Sequence, residues 1–183
     1  FDPIFVTEHK NLWHRGFPLQ YVSKRNAKLI GKKKVSCLVQ ADFWNGDPDI
    51  DAICRMEHQP NCNFNKKYFP FASSKVSPFN SQNTFLTKKV LPFYFLFPHV
   101  GRMDDIWASY YVQSLGYKVL FCEATVYQDR NEHSYYKDFQ GEIIGYKNNL
   151  NLISKLKKNP NSIIKFLPER SYLAFREYLK IMN

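Results

Sequence analysis

The sequence lacks any stretch near the roughly 20 apolar residues that a membrane span needs; even Val90 to Val100 is interrupted by Pro92, Pro98 and His99. It has no CxxC pair. Cys37, Cys54, Cys62 and Cys122 are scattered, which argues against a zinc knuckle or a thioredoxin-like redox site and leaves buried or free thiols. There is no GxGxxG and no Walker-type loop, so the phosphate cradle of a Rossmann or P-loop enzyme is absent. No local motif of a Ser-His-Asp or Cys-His nucleophile set is present. Asparagine is frequent, yet no Asn-x-Ser/Thr acceptor occurs, which argues against passage through a secretory lumen and favours a cytoplasmic setting. No basic and apolar leader opens the chain, so a targeting segment is expected to be absent or to lie outside this sequence. With no internal repeat and no low-complexity linker, nothing divides residues 1–183, and one domain is expected.

What is present is a chain of 183 residues, 44% hydrophobic, long enough to bury a sizeable core. Sixteen Phe and 12 Tyr bring the aromatic share to 17%, enough for a Phe-rich core and for surfaces that stack on flat ligands or sugars. The net charge of +10 favours anionic partners. Its two main clusters, Lys24 to Lys34 and Lys155 to Lys158, fit solvated loop or helix faces, so no nucleic acid is expected and a nucleotide-sugar diphosphate fits better.

Residues 1–38 mix short apolar pieces with Gly16, Pro18 and Gly31 and predict strands and loops, and Val35 to Phe43 predicts a buried strand. Asp47-Pro48-Asp49 precedes one or two helical turns over Ile50 to Glu57. Gln59 to Asn83 follows neither apolar period and reads as a long loop, whereas Thr87 can cap a helix from Lys88 through Phe95. Met103, Trp107, Tyr110 or Tyr111, Ser114 and Leu115 form a helical stripe with Asp104 and Asp105 in its first turn and Gly116 at its end. Lys118 to Tyr127 alternates as a strand. A helix is predicted from about Ser134 to Lys158, broken near Gly145 to Asn149, and another over Glu169 to Ile181 behind Pro168. The order predicts an α/β domain with a helical C-terminal end.

Three segments could carry chemistry. In Gly101-Arg102-Met103-Asp104-Asp105-Ile106-Trp107, an arginine, two carboxylates and a tryptophan meet where a loop enters a helix. Successive helical residues point about 100° apart, so one carboxylate can face a cleft while the other caps or pairs. The bland alternative is an acidic first turn over a core tryptophan. Asp42-Phe43-Trp44-Asn45-Gly46-Asp47-Pro48-Asp49-Ile50-Asp51 holds four carboxylates in ten residues, which could bind a divalent cation or sugar hydroxyls, or merely make a turn and a helix cap. Trp13-His14-Arg15-Gly16-Phe17-Pro18 offers a guanidinium beside a glycine that permits close backbone approach, or a plain strand end. His133, isolated, is a metal ligand or a helix cap.

Together these segments resemble a known family. Val100-Gly101-Arg102-Met103-Asp104-Asp105-Ile106-Trp107-Ala108 resembles the late motif of the reversibly glycosylated polypeptides, plant proteins of the UDP-arabinopyranose mutase type, and more closely that of the STELLO-type glycosyltransferase-like proteins. Arg15-Gly16-Phe17-Pro18, Trp44 to Ala52 and Ser77 to Leu91 resemble further blocks in the same order, so that the likeness spans residues 13–146. The resemblance implies a GT-A fold, with 1–146 as its acceptor-side part and 147–183 as a helical extension. It implies Asp104 and Asp105 as catalytic carboxylates. It also implies Arg15, Trp44, Asp47, Asp49, Asp51, Asn83, Arg102 and Trp107 as substrate contacts, the indoles stacking on sugar or base, and His133 as a metal ligand.

The implied activity is transfer of a sugar from a nucleoside-diphosphate sugar to the hydroxyl of a sugar or glycan acceptor, with a divalent cation, Mn or Mg, at the leaving diphosphate. The implied setting is Golgi-associated, and a homo-oligomer is compatible with it. No Asp-rich metal motif precedes Trp13, so the nucleotide-binding half and its main metal motif are expected outside this chain. The alternatives are a nucleotide-sugar mutase and a non-catalytic scaffold that binds a glycan or an enzyme.

Overall fold

The computed structural model describes residues 1–183 except Leu29, Asn131, His133 and Asn183. The first 38 residues contribute short 3-10 turns and extended coil and no regular strand; one isolated bridge, His14 to Ile50, is all the pairing they make among the described residues. The first strand, β1, spans Val39–Gly46 and lies later than predicted, because Val35 is exposed and Val39 is the first buried residue of the apolar run. Then follow α1 (Ala52–His58), β2 (Phe71–Ala72), β3 (Thr84–Leu86), α2 (Asp104–Ser114), β4 (Val119–Gln128), α3 (Tyr135–Leu156) and α4 (Glu169–Met182). The helix expected over Lys88 to Phe95 is only a 3-10 turn at Leu91–Phe93, where Pro92 removes an amide donor.

The four strands make one mixed sheet in the order β2-β4-β1-β3. β1 runs parallel to β4, and β2 and β3 are antiparallel edges. This is an α/β domain. Between the pairs Asp42 with Cys122 and Trp44 with Val126 the register shifts, so β4 bulges against β1. Asn83 stitches the bulge, donating from its amide to the Phe43 carbonyl at 3.0 Å and to Thr125 Oγ1 at 2.9 Å.

Two apolar clusters sit on either side of α2. One contains Val39, Ala41, Phe43, Phe71 and Phe121 of the sheet. The other contains Ile106, Trp107, Tyr110 and Tyr111 of α2 with Leu152 and Phe175 of α3 and α4. A stripe was expected on α2, yet all residues from Asp105 to Val112 are buried. A helix enclosed on every side needs no polar face.

The predicted break in α3 does not occur. Gly145 lets the helix lie against Met103, whose Sδ would stand 2.5 Å from an added Cβ. Asn149 points inward, accepting from Trp107 Nε1 and donating to the Gly16 carbonyl, each at 2.8 Å. The boundary expected at 146/147 therefore falls inside one continuous helix.

Candidate functional site

Asp105 is buried and Asp104 half-buried at the start of α2, as the 100° step between neighbours requires. Asp105 turns inward to Arg15: Nη1 donates to Oδ1 at 2.9 Å and Nη2 to Oδ2 at 3.0 Å. The same guanidinium donates from Nε to both oxygens of Asp49, at 2.9 and 3.0 Å, and from Nη1 to the Arg102 carbonyl. Asn80 donates to Asp49 Oδ2 at 2.7 Å, and the Ser81 amide to Asp105 Oδ2 at 3.0 Å. Planar, multiply forked donation of this kind is what arginine provides and lysine cannot.

Burial alone would push the Asp49 carboxyl up, but Arg15 in direct contact holds it far below the ordinary carboxylate range. Burial likewise works against the charge of Arg15, and Asp49 and Asp105 outweigh it, raising its pKa. Asp104 differs. Its carboxyl is raised, first by burial and then by Asp105, while Oδ1 accepts the Asp105 amide at 2.9 Å.

Around this centre lies a second ring of charge. Arg102 pairs with Asp138, approaches Glu142 Oε1 at 3.4 Å and Asp49 Oδ1 at 3.9 Å. Arg55 pairs with Asp47, and Arg130 stands 3.9 Å from Asp47 Oδ2 and 3.8 Å from Asp49 Oδ1. Arg130 forms the wall between this ring and an open groove of about 530 Å³ lined also by Gln82, Gln128, Ser134, Lys137 and Asp138. Its Nε is buried with no hydrogen-bond partner among the described residues, so its charge is oriented by ion pairs while donor capacity is left over.

Several expected contacts are placed elsewhere. Trp107 is 0% exposed and hydrogen-bonded to Asn149, so it has no free face for stacking and belongs to the core. Trp44 is also buried; its Nε1 donates to the Asp47 carbonyl at 3.1 Å and its ring borders a void of about 20 Å³, room for one water. Asp51 is 0% exposed and caps α1, accepting the Ile53 amide at 2.9 Å. In the Ser77 to Leu91 block the asparagine that reaches Asp49 is Asn80, while Asn83 is spent on the bulge.

Asp47 and Asp49 share Arg130, whereas Asp42 meets Gln40 and Asp51 caps α1, so the four carboxylates do not meet at one point. Among the described residues, no group of three or more His, Cys, Asp or Glu is placed to hold a metal ion. His133, the expected metal ligand, lies outside the described residues. Among the described residues, no helix is long and apolar enough to cross a membrane.

Sequence reasoning missed Arg130, Asp138, Glu142 and Tyr146. Arg130 follows β4 and the other three lie on α3, and they reach residues 47–52 and 102 only through folding. One signal was available: Asp138, Glu142 and Tyr146 recur every four residues, a helical stripe of polar groups. Compared with known proteins, the chain matches no family model and no curated protein.

Proposed function

We propose that this chain is the acceptor-side part of a GT-A-type glycosyltransferase-like protein, which moves a sugar from a nucleoside-diphosphate sugar to an acceptor hydroxyl. One observation carries the reading. The four blocks on which the family resemblance rests are far apart in sequence, yet Arg15, Asp49, Asn80 and Asp105, one from each, share a single hydrogen-bonded centre. Unrelated turns and helix caps would have no reason to converge.

In this reading Arg15 and Asp49 hold Asp105 rigid. Asp104, half-buried and with a raised pKa, is the better base for an acceptor hydroxyl. Arg102 and Arg130 supply the positive charge that a diphosphate needs, and the groove beside Arg130 is the candidate donor site.

The test is transfer from labelled nucleotide sugars by the full-length protein and its Asp104→Asn variant. Loss of a positioned base predicts a fall of about 10²- to 10⁴-fold. Unchanged transfer in both Asp104→Asn and Asp105→Asn overturns the assignment. A non-catalytic binding role is favoured by one observation: both oxygens of Asp105 are already engaged by Arg15 and Ser81. That role predicts glycan or nucleotide binding without turnover by the wild-type protein.

A further inference from the structure

The N-terminus of α1 meets α3 through three polar side chains that the transfer reading leaves unused. Asp51 and Glu142 are both fully buried, and the hydroxyl of Tyr146 lies between them, 3.2 Å from Asp51 Oδ1 and 3.1 Å from Glu142 Oε2. Counting hydrogens shows what this requires. A phenol has one O–H and can donate to one carboxylate only. The second carboxyl can satisfy the phenolic oxygen only by donating to it, and for that it must carry a proton.

The remaining donors favour Asp51, beside which the Cys54 amide and the Trp13 indole also lie, and leave Glu142 with a single amide. The Ile53 amide donates to Asp51 at 2.9 Å and the Ala52 amide to Glu142 Oε2 at 3.1 Å. Asp51 Oδ2 and Glu142 Oε1 have no hydrogen-bond partner among the described residues. The charged groups facing the pair are Arg102, whose Nε lies 3.4 Å from Glu142 Oε1, and Arg15, both already committed to other carboxylates, with Asp138 one turn away on α3 and paired to Arg102.

We propose that Asp51, Tyr146 and Glu142 hold one shared proton, which fastens α3 to the N-terminus of α1 as a pH-sensitive latch. Glu142 carries the proton and donates it to the Tyr146 oxygen, and Tyr146 donates in turn to ionised Asp51. Burial, and then the charge of Asp51, push the Glu142 carboxyl up to about 8, while burial takes Asp51 to about 6, which sets this order. When the proton leaves, two anions face each other across the α1–α3 contact. α3 then loosens, and with it Lys137 and Asp138, which line the groove beside Arg130.

The sign follows from linkage. Glu142 is raised in the folded state, so its stabilisation is complete below the ordinary carboxylate range and is lost as pH rises through about 8. Between the two values one proton is bound in the folded state alone, and the folded-to-unfolded ratio falls by up to about tenfold per pH unit.

The test compares wild type with Glu142→Gln, which removes the titrating carboxyl while its amide oxygen can still accept from the Ala52 amide. Urea unfolding between about pH 6 and pH 8, where Glu142 alone of the pair is still losing its proton, is expected to show the decline in wild type and its absence in the variant. Amide exchange over residues 135–146, corrected for intrinsic rate, is expected to accelerate above about pH 8 in wild type only. Equal pH dependence in the two proteins overturns the latch. If the variant does not fold, infrared spectra of wild type labelled with ¹³C-carboxyl glutamate decide the matter. A protonated Glu carbonyl band at neutral pH that vanishes on alkaline titration supports the proposal, and no such band refutes it.

Discussion

Replacing Arg15 by methionine, similar in length and uncharged, tests the organisation of the whole centre. The substitution removes every side-chain donor to Asp49 and Asp105 except Asn80 and Ser81, together with the link to the Arg102 carbonyl. Asp49 keeps two distant cations, Arg102 at 3.9 Å and Arg130 at 3.8 Å, and Asp105 is left with Ser81. Breaking a buried ion pair costs about 3–5 kcal/mol because a charge is stranded, and here two carboxylates are stranded at once. Against a total stability of about 5–15 kcal/mol for a domain, the variant should be at or beyond the edge of folding. Adding Asp49→Asn and Asp105→Asn should recover part of the loss, since the stranded charge would be gone.

The pH dependence supplies an independent sign. In wild type Asp49 is depressed by Arg15, so its contribution is present above the ordinary carboxylate range and lost as pH falls into the acid. In Arg15→Met burial pushes the Asp49 carboxyl up with its main counter-charge gone, and mild acid should stabilise the protein. Urea unfolding of both proteins at neutral and mildly acidic pH measures this. A cost below about 1 kcal/mol, the value of a solvated surface pair, or the same acid response in both proteins, would refute the account.

Two further substitutions probe how the helices seat the centre. Gly101 has a φ of +61°, and an added Cβ would stand 2.2 Å from the Gly141 carbonyl oxygen of α3, so Gly101→Ala should cost about 1–3 kcal/mol from crowding and about 1–2 kcal/mol from the left-handed backbone, read from thermal unfolding. Phe175 packs its ring against Phe97 at 5.1 Å and Tyr111 at 5.4 Å between centroids, so Phe175→Ala should cost about 3–5 kcal/mol, and a cost near zero would mean that α4 is not docked as described.

The elements with a clean local signal were legible in the sequence. The acidic first turn at Asp104, the glycine stop at Gly116, and Pro168 before α4 each act within one turn, and the observed boundaries of α2 and α4 fall where those residues put them. Gly116 has the positive φ, +93°, that such a stop requires. Where the reading failed, a long-range contact had overridden local preference. Gly145 and Asn149 look like helix breakers, yet both serve α3 by meeting Met103, Trp107 and Gly16 from other segments. The family resemblance implies Trp107 as a stacking ring, and only the enclosure of α2 between two apolar clusters places it in the core.

The same division holds at the candidate site. Arg15 and Asp105 stood out as a guanidinium beside Gly16 and a carboxylate where a loop enters a helix, but their mutual contact spans 90 residues and no local pattern encodes it. A buried triad of this kind is a poor source of net stability, since desolvation consumes most of the attraction. Its better-attested effect is to fix geometry: a single guanidinium meets two carboxylates and the Arg102 carbonyl at once and so ties residues 13–16, 47–51 and 101–105 together. That constraint holds Asp104 at the edge of the centre and Arg102 between Asp49 and α3, so the groove beside Arg130 inherits its shape from residues that never line it.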